Sequence, residues 1–173
     1  MKNQKQFSKV SCFILDVDGV LTDGNVLVLD NGLQARRMSI KDGFALQMAI
    51  KKGYKIVIVS GGNSPQVADR LQKLGVIEIN MSVADKKKFV SEFKLKNGLS
   101  RDQLLYMGDD LPDIPVMSIV GVACCPADAV KEVKNAADYI AKYNGGDACV
   151  REVIEKVLKA NDDWEFSIEL TSQ

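Results

Sequence analysis

Short β-prone apolar runs alternate along this chain with segments of helical pattern, and that alternation restricts the fold more than any other feature. Cys12–Leu15, Lys55–Val59, 76–79, Leu104–Met107, 120–123 and Tyr139–Ile140 read as strands. Helices are expected over 44–52, 65–74, 85–93, 127–135 and 148–158, with Gly53, Gly75 and Asn97-Gly98 as stops. Strands joined through helices pair in parallel, so the pattern predicts an α/β fold with a doubly wound parallel sheet. At 173 residues a single domain is expected, spanning 1–159 and followed by a C-terminal tail over 160–173 with no periodicity. Asn31-Gly32 is a hairpin turn signal, and it predicts a small β-hairpin over about 25–40 with a return strand over 34–40. That hairpin lies between the first strand and the first helix, where it either overhangs a site or decorates an edge.

The ends of the strands carry the chemistry. Cys12–Leu15 runs into Asp16, Val17, Asp18 and Gly19. Alternate residues of an extended segment share a side, so both carboxylates can face one site at the sheet edge where open α/β folds bind ligands. Carboxylates held so close resist ionising together unless a cation or a shared proton intervenes. The pair therefore points to Mg²⁺, or to a nucleophile beside an acid/base; taken alone, Asp-x-Asp-Gly also makes ordinary turns. Lys55–Val59 ends in Ser60-Gly61-Gly62-Asn63, with Ser64 as N-cap and Pro65 as first helical residue. A hydroxyl and free N–H groups before a helix form a phosphate cradle, although a plain capped loop has the same residues. Lys86, Lys87 and Lys88 follow the cap Asp85 and oppose the helix dipole, which suggests that one lysine is wanted there. Leu104–Met107 ends in a second acidic cluster, Asp109, Asp110 and Asp113.

Together these groups describe a phosphate site. Asp16 and Asp109 can ligate one Mg²⁺, a hard cation that prefers oxygen. Ser60 and Lys86 supply donors to phosphate oxygens, and Asp113 can pair with Lys86. One carboxylate beside a metal-bound phosphate can attack in line, and the other can protonate the leaving oxygen and then activate water. The chain contains no histidine, so histidine-based triads, bases and zinc sites are excluded. The four cysteines lack a Cys-x-x-Cys spacing and read as small buried hydrophobes rather than a disulfide framework. Lys plus Arg and Asp plus Glu each number 23, a balance that gives no electrostatic reason to expect nucleic acid or an anionic membrane as partner. No signal peptide or membrane span is evident, and a cytoplasmic protein is expected.

Asp16-Val-Asp18-Gly-Val-Leu-Thr22, Val59-Ser60-Gly61, Asp85-Lys86 and Gly108-Asp109-Asp110-Leu-Pro-Asp113 resemble, in order and spacing, the four motifs of haloacid dehalogenase-superfamily phosphatases. The resemblance implies Asp16 as nucleophile, Asp18 as acid/base, and Ser60 and Lys86 as phosphate-binding groups. It implies Mg²⁺ held by Asp16, Asp109 and the backbone carbonyl of Asp18, with Asp110 and Asp113 in support. The segment Asp18–Gly24, the hairpin, Lys41-Asp42-Gly43 and Gly145-Gly146 with Arg151-Glu152 are similar to the 3-deoxy-D-manno-octulosonate 8-phosphate phosphatase family. That likeness, over roughly residues 11–158, implies a capless enzyme acting on a sugar acid phosphate. It also implies a homotetramer whose active sites are shared between subunits, with Gly61, Gly62, Asn63, Asp42 and Gly43 meeting substrate. The chain departs from the family at Gly62, where Arg is frequent, and at Lys142, Tyr143 and Asn144, where Arg often precedes the glycine pair. Both departures bear on the sugar end, so a phosphatase for 2-keto-3-deoxy-nononate 9-phosphate or another keto-sugar acid phosphate is the near alternative. A non-catalytic tetramerisation module and a mutase are the more distant ones.

Overall fold

In the computed structural model, which describes residues 2–165, the first half of the chain forms α1 (Lys2–Phe7), β1 (Cys12–Leu15), β2 (Leu27–Val28), β3 (Gln34–Ala35), α2 (Ile40–Lys51), β4 (Lys55–Val59), α3 (Pro65–Lys73) and β5 (Glu78–Asn80). The second half forms α4 (Lys86–Lys96), β6 (Leu104–Met107), α5 (Ile114–Met117), β7 (Val122–Cys125), α6 (Lys131–Ala136), β8 (Tyr139–Ile140) and α7 (Cys149–Ala160). Short 3₁₀ turns at Arg101–Gln103 and Leu111–Asp113 precede β6 and α5.

The main sheet has the order β5-β4-β1-β6-β7-β8, and every neighbouring pair in it is parallel. From β1 the chain winds outward through β4 and β5, then returns to β6 on the other side of β1. The reversal makes the carboxyl ends of β1 and β6 the switch point where α/β folds bind ligands. All four side chains of β1 are buried, and they alternate between two cores. Phe13 and Leu15 pack with α2, α3 and α7 through Leu46, Leu71 and Ile154. Cys12 and Ile14 pack with α4, α5 and α6 through Val90, Val116 and Val133. A sheet covered on both faces explains why its strands read as continuous apolar runs. All four cysteines are free and buried, as their surroundings in the sequence imply.

Several boundaries differ from the sequence expectation, each for a local reason. The helix expected over 44–52, α2, begins at Ile40, because the Ser39 hydroxyl caps it by accepting the Asp42 N–H. The return strand of the hairpin shrinks accordingly to Gln34–Ala35, with one further bridge between Thr22 and Met38. The strand expected over 76–79 lies at Glu78–Asn80, since the Val76 N–H closes the end of α3 by donating to the Leu71 carbonyl. The strand expected over 120–123 lies at Val122–Cys125, after α5, a helix the sequence pattern did not reveal. Residues 127–130 are loop rather than helix; there the Val130 N–H donates to the Asp109 carbonyl and ties the loop to the acidic cluster.

Ala160 is the last residue of α7, and the chain just beyond it is not a loose tail. Asn161 Nδ2 donates to the Tyr54 hydroxyl (3.0 Å), which in turn donates to Asp163 Oδ2 (2.8 Å). Trp164 packs on the first core, 5.8 Å from the Arg151 guanidinium. Residues 166–173 of the expected tail lie outside the described residues. Among the described residues no helix is long and apolar enough to cross a membrane.

Candidate active site

Asp16 leaves β1 with its backbone still in the ladder, donating to the Met107 carbonyl at 3.0 Å. Its Oδ1 accepts the Val17 N–H at 2.8 Å, and its Oδ2 meets Lys86 Nζ at 2.8 Å. Lys86, the first residue of α4, also reaches Asp113 Oδ1 at 2.7 Å. Of the three consecutive lysines only Lys86 is buried, while Asp85 Oδ1 accepts the Lys88 N–H and caps the helix. The lysine run thus splits into one buried residue and two exposed ones, of which Lys87 borders the same cleft.

Asp113 has no lone pairs to spare. Its Oδ1 accepts from Lys86 and from the Tyr106 hydroxyl (2.6 Å), and its Oδ2 accepts the N–H groups of Asp109 (2.9 Å) and Asp110 (3.2 Å). Asp110 itself caps the 3₁₀ turn by accepting the Leu111 N–H. Asp109 lies against Gly19. A Cβ at Gly19 would come 2.0 Å from Asp109 Oδ2, and φ there is +82°, so only glycine serves.

One oxygen each from Asp16, Asp109 and Asp113 fall within 4.8 Å of one another. Burial first, and then repulsion from Asp113, pushes the Asp16 carboxyl up to about 6. Burial, with Asp16 and Asp113 adding to it, pushes Asp109 up to about 7. Burial pulls Lys86 down, but the two aspartates outweigh it and its pKa is raised. Three carboxylates against one ammonium leave surplus negative charge, which a hard divalent cation would neutralise. The donor set fits Mg²⁺, and since the Asp113 oxygens are already occupied, Asp16 and Asp109 are the side chains free to hold it. The Asp18 carboxylate is outside this group.

Asp16, Asp18, Ser60, Lys86, Asp109 and Asp113 line one cleft of about 810 Å³, together with Gly61, Gly62 and Asp110. Ser60 is buried, and its Oγ accepts the Gly62 N–H at 3.1 Å. Other residues expected to meet substrate lie elsewhere. Asn63 is exposed beyond the cleft lining. Asp42 is buried beneath the start of α7, where its Oδ1 accepts the Arg151 N–H at 2.7 Å. Gly43 lies in α2 against Leu74. The two departures from the family pattern separate as well, because Gly62 faces this cleft whereas Lys142 and Tyr143 line a different groove with Arg151 and Glu152.

Sequence reasoning missed two members of the constellation. Tyr106 reads as an ordinary core aromatic of a buried strand, and nothing local marks its hydroxyl as a partner of Asp113. Arg36 reads as a solvated hairpin charge, yet its Nε donates to Asp18 Oδ1 at 2.6 Å.

The family model described as haloacid dehalogenase-like hydrolase matches residues 71–154. The 3-deoxy-D-manno-octulosonate 8-phosphate phosphatase KdsC of Salmonella typhi is 33% identical over 151 residues, 87% of this chain and 80% of that protein. The chain belongs to this phosphatase family. The KdsC protein of Haemophilus influenzae is 30% identical, over 91% of this chain and 87% of its own. Among solved structures, the 3-deoxy-D-manno-octulosonate 8-phosphate phosphatase of Moraxella catarrhalis, in complex with magnesium, phosphate and KDO, superimposes with a TM-score of 0.91. It is 29% identical, with 94% of each chain covered.

Proposed function

We propose that this chain is a Mg²⁺-dependent phosphomonoesterase that hydrolyses 3-deoxy-D-manno-octulosonate 8-phosphate to the free sugar acid and inorganic phosphate. The observation that carries this is the convergence of Asp16, Asp18, Ser60, Lys86 and Asp109 on one cleft. The KdsC relatives at 30–33% identity support the substrate class. Asp16 is the nucleophile: a carboxylate oxygen bonds to phosphorus as the ester oxygen departs. Asp18 gives its proton to that leaving oxygen, then takes one from water, which attacks the aspartyl-phosphate and releases phosphate and the Asp16 carboxylate. Ser60 and Lys86 donate to the phosphoryl oxygens, and Lys86 also keeps Asp16 aimed while Asp113 holds the lysine. Mg²⁺, when bound, offsets the charge of carboxylates and phosphate and orients the phosphoryl group for in-line attack. The enzyme works as a homotetramer, with the exposed apolar hairpin as its meeting surface.

Steady-state kcat/KM with Mg²⁺ over eight- and nine-carbon keto-sugar acid phosphates tests the substrate, and the eight-carbon ester should lead. A clear preference for the nine-carbon ester would move the assignment to its relative. Asp16→Asn tests the chemistry, since an amide cannot form the acyl phosphate. Turnover should be lost while the circular dichroism spectrum and melting behaviour stay those of a folded protein, and wild-type turnover in a homogeneous preparation would exclude the aspartyl-phosphate.

A further inference from the structure

We infer that Arg36 is a positioning residue for Asp18, holding one oxygen of the acid/base carboxylate so that the other faces the cleft. The inference rests on the reading of Asp18 given above. Residues 24–35 are all exposed, so most of the hairpin owes nothing to the core. Arg36 breaks the pattern, because its side chain is only 10% exposed and its Nε donates to Asp18 Oδ1 at 2.6 Å. The next residue repeats the contact at the far end of the same loop, where Arg37 Nε donates to Asp23 Oδ2 at 3.0 Å. With the bridge between Thr22 and Met38, these two consecutive arginines clip the hairpin across the loop 18–23. Only one of the two clips touches a group of the site.

The other oxygen of Asp18 points the opposite way. A Cβ built on Gly62 would lie 3.0 Å from Asp18 Oδ2 and 3.6 Å from Ser60 Oγ, so the absence of a side chain at 62 keeps the space between them open. Asp18 is thus gripped at Oδ1, while Oδ2, beside the cradle hydroxyl, makes no hydrogen bond among the described residues. Its side chain is 39% exposed, and without Arg36 it would be free to turn into solvent among its rotamers. A proton donor must sit within hydrogen-bond reach of the leaving oxygen, so the clip sets how often Asp18 is in place.

The test compares Arg36→Gln, Arg36→Lys and Arg37→Gln with wild type on three esters: p-nitrophenyl phosphate, glucose 6-phosphate and 3-deoxy-D-manno-octulosonate 8-phosphate. Arg36→Gln should lower kcat/KM for the two sugar esters by about 10–100-fold, the scale of a misplaced catalytic group. It should barely affect kcat/KM for the aryl ester, whose leaving group needs little protonation, because that ratio ends at leaving-group release and excludes the later attack of water that Asp18 also assists. Arg36→Lys should restore part of the loss, and Arg37→Gln should match wild type. Three outcomes overturn the inference: equal losses on aryl and sugar esters, the same pattern in Arg37→Gln, or a KM rise confined to the sugar acid ester, which would make Arg36 a substrate contact. Asp18→Asn measured in parallel separates the two levels. If it keeps full activity on sugar esters, the role of Asp18 itself fails; if it loses activity while Arg36→Gln does not, only the positioning role fails.

Discussion

Lys86 concentrates the electrostatics of the site in one side chain. Its ammonium is buried at 9% exposure and lies 2.8 Å from Asp16 and 2.7 Å from Asp113. Removing one partner of a buried ionic network strands the others, at a cost of about 3–5 kcal/mol. Lys86→Met should therefore show an unfolding free energy lower by roughly that amount in urea titrations with EDTA. Added Mg²⁺ should return part of it, since a cation held by the same carboxylates stabilises the folded state by mass action. Equal midpoints for variant and wild type in EDTA would mean that the carboxylates do not need the lysine. Asp113 explains why the effect is local: four donors already hold its oxygens, so it steadies the lysine without becoming an open ligand.

Between elements, the telling contact is Asp42, which joins the first turn of α2 to the start of α7. It is 1% exposed, and its Oδ2 finds no hydrogen-bond partner among the described residues. Burial, only partly offset by the Arg151 and Ala148 N–H groups, pushes its carboxyl from 3.8 up to about 6. The folded chain thus holds this proton more tightly than the unfolded one. The resulting stabilisation is complete below the unfolded value and is lost as pH rises through the folded one. Asp42→Asn has no proton to lose. The unfolding free energy of wild type minus that of the variant should fall by up to about 3 kcal/mol between pH ~4 and ~6; a flat difference would mean that Asp42 titrates normally. The same residue shows what the sequence could reveal. β1, β4 and β6 were legible because both faces of the sheet are covered there and their runs are almost wholly apolar. Asp16, Ser60, Lys86 and Asp109 were legible because they stand directly at strand or helix ends, where local order fixes direction. Asp42 and Arg36 were not, since their partners Arg151 and Asp18 are brought near by packing alone. The later starts of β5 and β7 escaped for a similar reason, as Val76 and Val120 are buried in turns and look like strand residues.

Across the whole molecule, the hairpin holds the densest group of exposed apolar side chains. Leu27, Val28 and Leu33 are 63%, 67% and 55% exposed, with Val26 and Leu29 at 41% and 40%, a concentration that favours association. Replacing Val26 and Val28 by Asp should convert the expected tetramer into smaller species in sedimentation velocity, because unpaired charge is costly in an apolar contact. Hydrolysis of the sugar acid ester should drop far more than that of p-nitrophenyl phosphate. A folded monomer with unchanged sugar-ester kcat/KM would show that the sites are not shared. The opposite side of the catalytic loop is built quite differently. A Cβ at Gly145 would sit 2.0 Å from the Gly19 carbonyl oxygen, and one at Gly146 would sit 2.6 Å from the Asp23 nitrogen, so the loop before α7 is keyed backbone to backbone into residues 19–23. No substitution at 145 or 146 can reach toward a new substrate without displacing the loop that follows Asp18. Divergence of substrate range in this chain is thereby channelled to the hairpin, and a library directed there should recover altered selectivity, whereas one directed at the glycine pair should return only inactive protein.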